Sequence, residues 1–169
     1  NMYKIWKFSL VKQLLFVFSL VVAIIIVSYS YMFMMNKQME KEADVLATTE
    51  LELLLINEEM YRIFSQLYMA SSSYVITANE QYVAQFTSSI AAVDAQIEQL
   101  NAFEANEERD ALIRTGSEWI ASVQQNVFPI VNSENREAAV SSYELLKPQI
   151  EEVLEGYYAL NEMRASNIS

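Results

Sequence analysis

Residues 13–36 read QLLFVFSLVVAIIIVSYSYMFMMN, 24 residues without an Asp, Glu, Lys or Arg. As a helix rising roughly 1.5 Å per residue they cover about 36 Å, more than a hydrocarbon core of roughly 30 Å. Every face of that helix is apolar, so only a bilayer or a very large core can hide it. The chain behind it is too short to supply such a core. The first expectation is therefore a membrane helix at 13–36, flanked by a short tail at 1–12 and a larger domain at 37–169.

Charge is distributed in blocks around this stretch. Lys4, Lys7 and Lys12 precede it with no acid among them, while the other 8 basic residues and all 22 acids follow it, leaving −14 beyond Asn36. Basic residues beside a span mark its cytoplasmic side, which puts the N-terminus in the cytoplasm and the domain outside the plasma membrane. Tyr29 and Tyr31 suit the outer interface and Trp6 the inner one. A cleaved signal peptide would have an apolar region of roughly 7–15 residues and a small-residue cleavage site. Here the run is longer and ends in aromatic and Met residues, so an uncleaved signal anchor is expected.

The chain has no Cys and no His. That excludes disulfides, thiolate nucleophiles, Cys/His zinc sites and His-based acid–base catalysis. Acid pairs such as Glu58/Glu59, Glu107/Glu108 and Glu151/Glu152 diverge by about 100° on a helix and cannot clamp one atom. No phosphate loop or nucleophile elbow occurs. We expect no enzyme, no cofactor and no metal. Strong acidity argues against nucleic acid as a partner.

Beyond Asn36 there are only two Gly and two Pro, Gly116, Gly156, Pro129 and Pro148, too few for the turns of an all-β domain. The apolar spacing is helical. Leu46, Thr49, Leu53, Ile56, Met60, Ile63, Leu67, Ala70 and Tyr74 alternate steps of three and four, and nothing between Asn36 and Leu46 breaks a helix. The first outer helix should thus continue the membrane span and end near Ser71–Ser73 and Thr77. Thr77 and Glu80 have capping-box spacing for a second helix, which should bury Tyr82, Phe86, Ile90, Val93, Ile97 and Leu100. A turn at 102–106 leads to a third helix capped by Asn106, carrying Leu112, Ile113, Gly116, Trp119, Ile120, Val123 and Val127 and ending near Pro129. Asn132 or Ser133 should cap a fourth helix with the stripe Ala139, Tyr143, Leu146, Ile150, Val153, Tyr157 and Leu160. Pro148 inside that stripe should kink this helix without stopping it. The expected fold is all-α, the membrane helix continuing into an up-down-up-down antiparallel four-helix bundle. The fourth helix would run back toward the membrane, so a second span is expected beyond residue 169.

Four segments resemble one family. They are residues 74–86 (YVITANEQYVAQF), 117–131 (SEWIASVQQNVFPIV), 144–153 (ELLKPQIEEV) and 158–166 (YALNEMRAS). Together they resemble the four-helix-bundle ligand-binding region of bacterial methyl-accepting chemotaxis proteins and the related CHASE-type sensor domains of transmembrane receptors. One position departs: the Gly that often follows Thr in the first corner is Ala78 here. The resemblance implies a homodimer through the first outer helix, a small-molecule or binding-protein ligand, and signalling to cytoplasmic HAMP and output domains. A histidine kinase or cyclic-dinucleotide enzyme would share this sensor. A single-span adaptor presenting a coiled-coil face is the reading from a different class.

The resemblance also points to Arg62, since similar sensors receive a ligand carboxylate on Arg residues of this helix. The plainer and favoured reading pairs Arg62 with Glu58. Arg109, Arg114 and Arg136 lie near acids and read as solvated surface charge. Tyr61, Tyr68 and Trp119, with Phe64, Tyr74, Tyr82 and Phe86, could line a pocket, though rings at helical spacing more often fill a core. Tyr61 and Tyr68 lie seven apart and could instead form a second seam for a dimer. Lys41, Leu46, Leu53 and Met60 mark the helix expected to carry the signal.

Overall fold

The computed structural model describes the backbone of residues 2–168 and the side chains of residues 9–166. The side chains of Lys4, Trp6 and Lys7, used above for orientation and the aromatic belt, lie outside that range. Every regular element among the described residues is helical: α1 (Met2–Thr77), α2 (Gln81–Leu100), α3 (Glu107–Ser122), a π-helical turn (Val123–Val127), α4 (Phe128–Val131) and α5 (Arg136–Ile168). The chain divides into two units, Asn1–Thr48 and Thr49–Ser169.

The first unit is the N-terminal part of α1. Its apolar run is exposed on all sides, with none of its most apolar window buried within the protein. A core helix of a soluble protein would hide one face at least. This helix is long and apolar enough to cross a membrane.

The second unit holds the core. On α1, Leu53, Ile56, Met60, Ile63, Leu67, Ala70 and Tyr74 are buried, following the three–four spacing. Leu46 departs from the expected stripe: it is 68 % exposed, and Thr49 is half-buried, so the buried face starts at Leu53. That face is also wider than one stripe. Asn57, Phe64 and Ser71, seven apart, form a second buried column because α1 is flanked by more than one neighbour. Phe64 stacks on Tyr157 of α5 at 5.9 Å, and Gly116 of α3 lies against the same ring, where an added Cβ would come within 2.4 Å. Glycine is required there by this close approach, not by its backbone angles.

α1 ends at Thr77, within the expected stretch, and the Ser71–Ser73 run lies inside its last turns. Its hydroxyls do not compete with the helix. Ser71 Oγ returns to the Leu67 carbonyl at 2.8 Å, and Ser71 and Ser72 meet the Tyr143 hydroxyl at 2.6 and 2.8 Å. The capping box at Thr77 does not form. Thr77 is the last residue of α1, its hydroxyl bonded back to the Ser73 carbonyl, and Asn79 accepts from the Gln81 amide at 3.0 Å instead. Between them Ala78 takes φ 55°, a left-handed conformation that favours Gly. Ala78→Gly is therefore expected to stabilise the domain by about 0.5–1 kcal/mol in denaturant unfolding. A loss would mean that the alanine methyl, packed against the core, outweighs the backbone strain.

On α2, Phe86, Val93 and Leu100 are buried, whereas Tyr82, Ile90 and Ile97 are only half-buried. Asn106 caps α3, its side chain accepting from the Arg109 amide. The third helix does not stop at Pro129 but continues to Val131. Proline lacks the amide proton and its ring crowds the carbonyl four residues back. A widened turn precedes it, in which Phe128 N–H bonds Val123 O, five residues back. The extra residue keeps Val123, Val127 and Val131 all buried at steps of four. Phe128 then reaches Phe86 (4.9 Å) and Tyr74 (5.0 Å), both edge-on.

The cap foreseen at Asn132 or Ser133 is also displaced. α5 begins at Arg136; Ser133 Oγ accepts from the Asn135 amide, and Asn132 donates to the Tyr74 hydroxyl at 3.2 Å. α5 passes Pro148 without interruption. Pro148 and Glu144 are both exposed, so the proline lies on the outer face of α5. The α5 stripe is buried as expected, Leu146 only half so.

Candidate functional site

The four residues singled out as ligand candidates do not converge. Trp119 is 0 % exposed and packs against Phe86 at 6.1 Å inside the core. Tyr68 is half-buried and stacks on Tyr143 at 6.3 Å. Tyr61 is exposed on the surface of α1, beside Tyr158 of α5, whose phenol is held above its usual range chiefly by a hydrogen bond to Glu162. Arg62, next along the helix, points about 100° away from Tyr61. It is exposed and paired with Glu59, not with the expected Glu58. The hydrogen bond from Arg62 lowers the Glu59 carboxyl below its ordinary value. Of the signalling-helix residues, Lys41 and Leu46 are exposed, and Leu53 and Met60 are buried.

Other residues are brought together instead. Leu55, Arg62, Met69 and Ile76 lie seven apart on α1 and are all exposed, a coiled-coil spacing that no other helix covers among the described residues. Beside this column, α1 and α2 enclose a groove of about 590 Å³. Gln66, Met69 and Ser73 line one wall and Tyr82, Gln85 and Ser88 the other; no charged side chain lines it. In a chain with 33 charged residues, such a neutral strip fits packing against another surface better than holding an ion.

A second constellation ties α1 to α5. The Tyr143 hydroxyl touches Ser71 and Ser72 and donates to the Tyr68 carbonyl at 3.1 Å. Burial pushes the Tyr143 phenol up, with the serine hydrogen bonds opposing. Nearer the start of this unit, Arg164 pairs with Glu50 at 2.8 Å. At the other end Arg136, read from sequence as free surface charge, bonds the Ile76 carbonyl at the C-terminus of α1, where a cation is favoured.

Arg109 is the clearest correction. Read as solvated charge, it is 4 % exposed, with its Nη2 on the Glu104 carbonyl at 2.6 Å and its buried Nε without a partner. The signal was present: 109, 112, 116, 119 and 123 continue one stripe in steps of three and four. Neighbouring Glu107, Glu108 and Asp110 masked it. Asn57 was missed because it lies off the stripe; Ser71 was seen only as a breaker.

Among the described residues no group of three or more acids is placed to hold a metal ion. No family model, curated protein or solved structure matches the chain.

Proposed function

We propose that this chain is the extracytoplasmic sensor and membrane-spanning part of a bacterial chemoreceptor of the methyl-accepting kind. In this reading 13–36 crosses the plasma membrane with the N-terminus inside, and 37–169 forms an up-down-up-down four-helix bundle outside. The observation that carries it is the continuity of α1, a single helix from the apolar run into the buried face that starts at Leu53. Helix contacts support the topology. Glu50 meets Arg164, Phe64 meets Tyr157, Tyr68 meets Tyr143 and Ile76 meets Arg136, so α5 descends as α1 climbs. The exposed column Leu55, Arg62, Met69 and Ile76 supports a homodimer through α1, beside the Tyr61/Tyr68 seam.

A helix is stiff along its axis. Displacements on the order of 1–2 Å between packed helices suffice for switching in other proteins. A ligand or partner that favours one packing of α1 against α5 would therefore bias the span. A Gly-Pro insertion after Lys41 breaks that axis without touching the core. In the full receptor it is expected to abolish the response while the domain unfolds at an unchanged midpoint. A response that survives the insertion would refute transmission through α1.

A further inference from the structure

Arg109 poses a problem that the described residues do not solve. A guanidinium is always charged, and burying it without a matching anion is costly. Neither ion pair among the described residues involves Arg109. Its side chain donates to a neutral carbonyl, that of Glu104, and Nε is left buried and unpartnered among the described residues. The side chain also lines a cleft of about 350 Å³ at the α2–α3 turn. The walls mix apolar and polar surface, with Ile97, Leu100, Phe103 and Ile113 on the apolar side and Asn101 and the charged Asp110 on the polar side.

We propose that this cleft binds a small monocarboxylate with an apolar body, its carboxylate held by the Arg109 guanidinium. The planar fork of Arg matches a carboxylate with two parallel hydrogen bonds, and a desolvated guanidinium makes them strong. The apolar walls take the ligand's hydrocarbon part, as ligand clefts of this size ordinarily do. Charge selects against phosphate-like ligands. Glu107, Glu108 and Asp110 stand in the first turn of α3 around Arg109, and their repulsion of a dianion is about twice that of a monoanion.

The site gives the sensor function proposed above a ligand class and rests on that reading for its purpose. Binding is read on the protein alone, so the two fail separately. Titration of the full chain in detergent micelles with benzoate and isovalerate, followed by calorimetry, is the test. Saturable binding of a carboxylate is expected, at least tenfold tighter than that of benzyl alcohol or isoamyl alcohol. Arg109→Met should weaken it at least tenfold and Arg109→Lys less. Ile97→Trp fills the cleft from a half-buried position and leaves Arg109 in place; it too should abolish binding. If Arg109→Met fails to fold, Ile97→Trp decides. Equal binding of acid and alcohol, binding that survives Ile97→Trp, or no saturation by either acid up to millimolar concentration would overturn the assignment.

Discussion

Trp119→Ala is expected to destabilise the helical domain by about 3–5 kcal/mol, the largest loss from any single truncation proposed for this chain. The indole is wholly buried, against Phe86, which in turn meets Phe128 edge-on. Removing it takes away the side chain's transfer energy and leaves a cavity that helices on several sides cannot fill by small shifts. The indole N–H has no partner, so little hydrogen-bond energy is lost with it and the effect is packing. Chemical denaturation of the full chain in micelles, followed by far-ultraviolet circular dichroism, measures it. Tyr61→Ala serves as the comparison, since an exposed ring away from such features changes stability by about 0.5 kcal/mol or less. If Trp119→Ala cost no more than Tyr61→Ala, the indole would belong to an open ligand cavity. That was the other reading of Trp119 from sequence.

The contrast between those two residues shows where sequence reasoning reached. Periodicity locates a helix's buried face well when one stripe carries it, and the α1 and α5 stripes are found in place from Leu53 and Ala139 onward. It fails where a helix has two buried columns. The column Asn57, Phe64 and Ser71 contains two polar residues, and a polar residue off the main stripe reads as surface. Local chemistry misleads in a similar way. Ser71–Ser73 looks like a helix end, but the Tyr143 hydroxyl that engages two of these serines is more than 70 residues away. Thr77 and Glu80 have the spacing of a cap, yet the left-handed Ala78 lies between them and Asn79 takes the role. On the third helix the shift from three–four steps to fours at Val123, Val127 and Val131 was in the sequence. Only with Pro129 close behind does it read as a widened turn. For the candidate site, residue type was legible and partnership was not. Arg62 has an acid within reach on its own helix, whereas Arg109 is turned inward by the helix phase.

Asn57→Leu should act in the opposite direction and raise stability by about 1–3 kcal/mol. Asn57 is 1 % exposed, and neither its amide nitrogen nor its oxygen has a partner. A buried amide with no hydrogen bond keeps its full desolvation cost, which a leucine, with the same branched skeleton of heavy atoms, does not incur. Leucine also has the higher helix propensity, adding a few tenths of a kcal/mol. The site is a good place for the exchange because the flanking positions Leu53, Met60 and Phe64 are apolar and buried. The same denaturation experiment reads the result, with Asn57→Asp as its counterpart: a carboxylate at this depth should destabilise strongly at neutral pH and less at pH 4, where it can bind a proton. The sign follows from linkage, since burial raises the folded-state pKa above the unfolded value and the charged form is the penalised one. A stabilised leucine variant would mean that α1 retains a polar group at the expense of stability, in the segment proposed to move. A leucine variant less stable than the parent would mean that the Asn57 amide is hydrogen-bonded in solution, and that the α1 core is more tightly specified than its side-chain partners indicate.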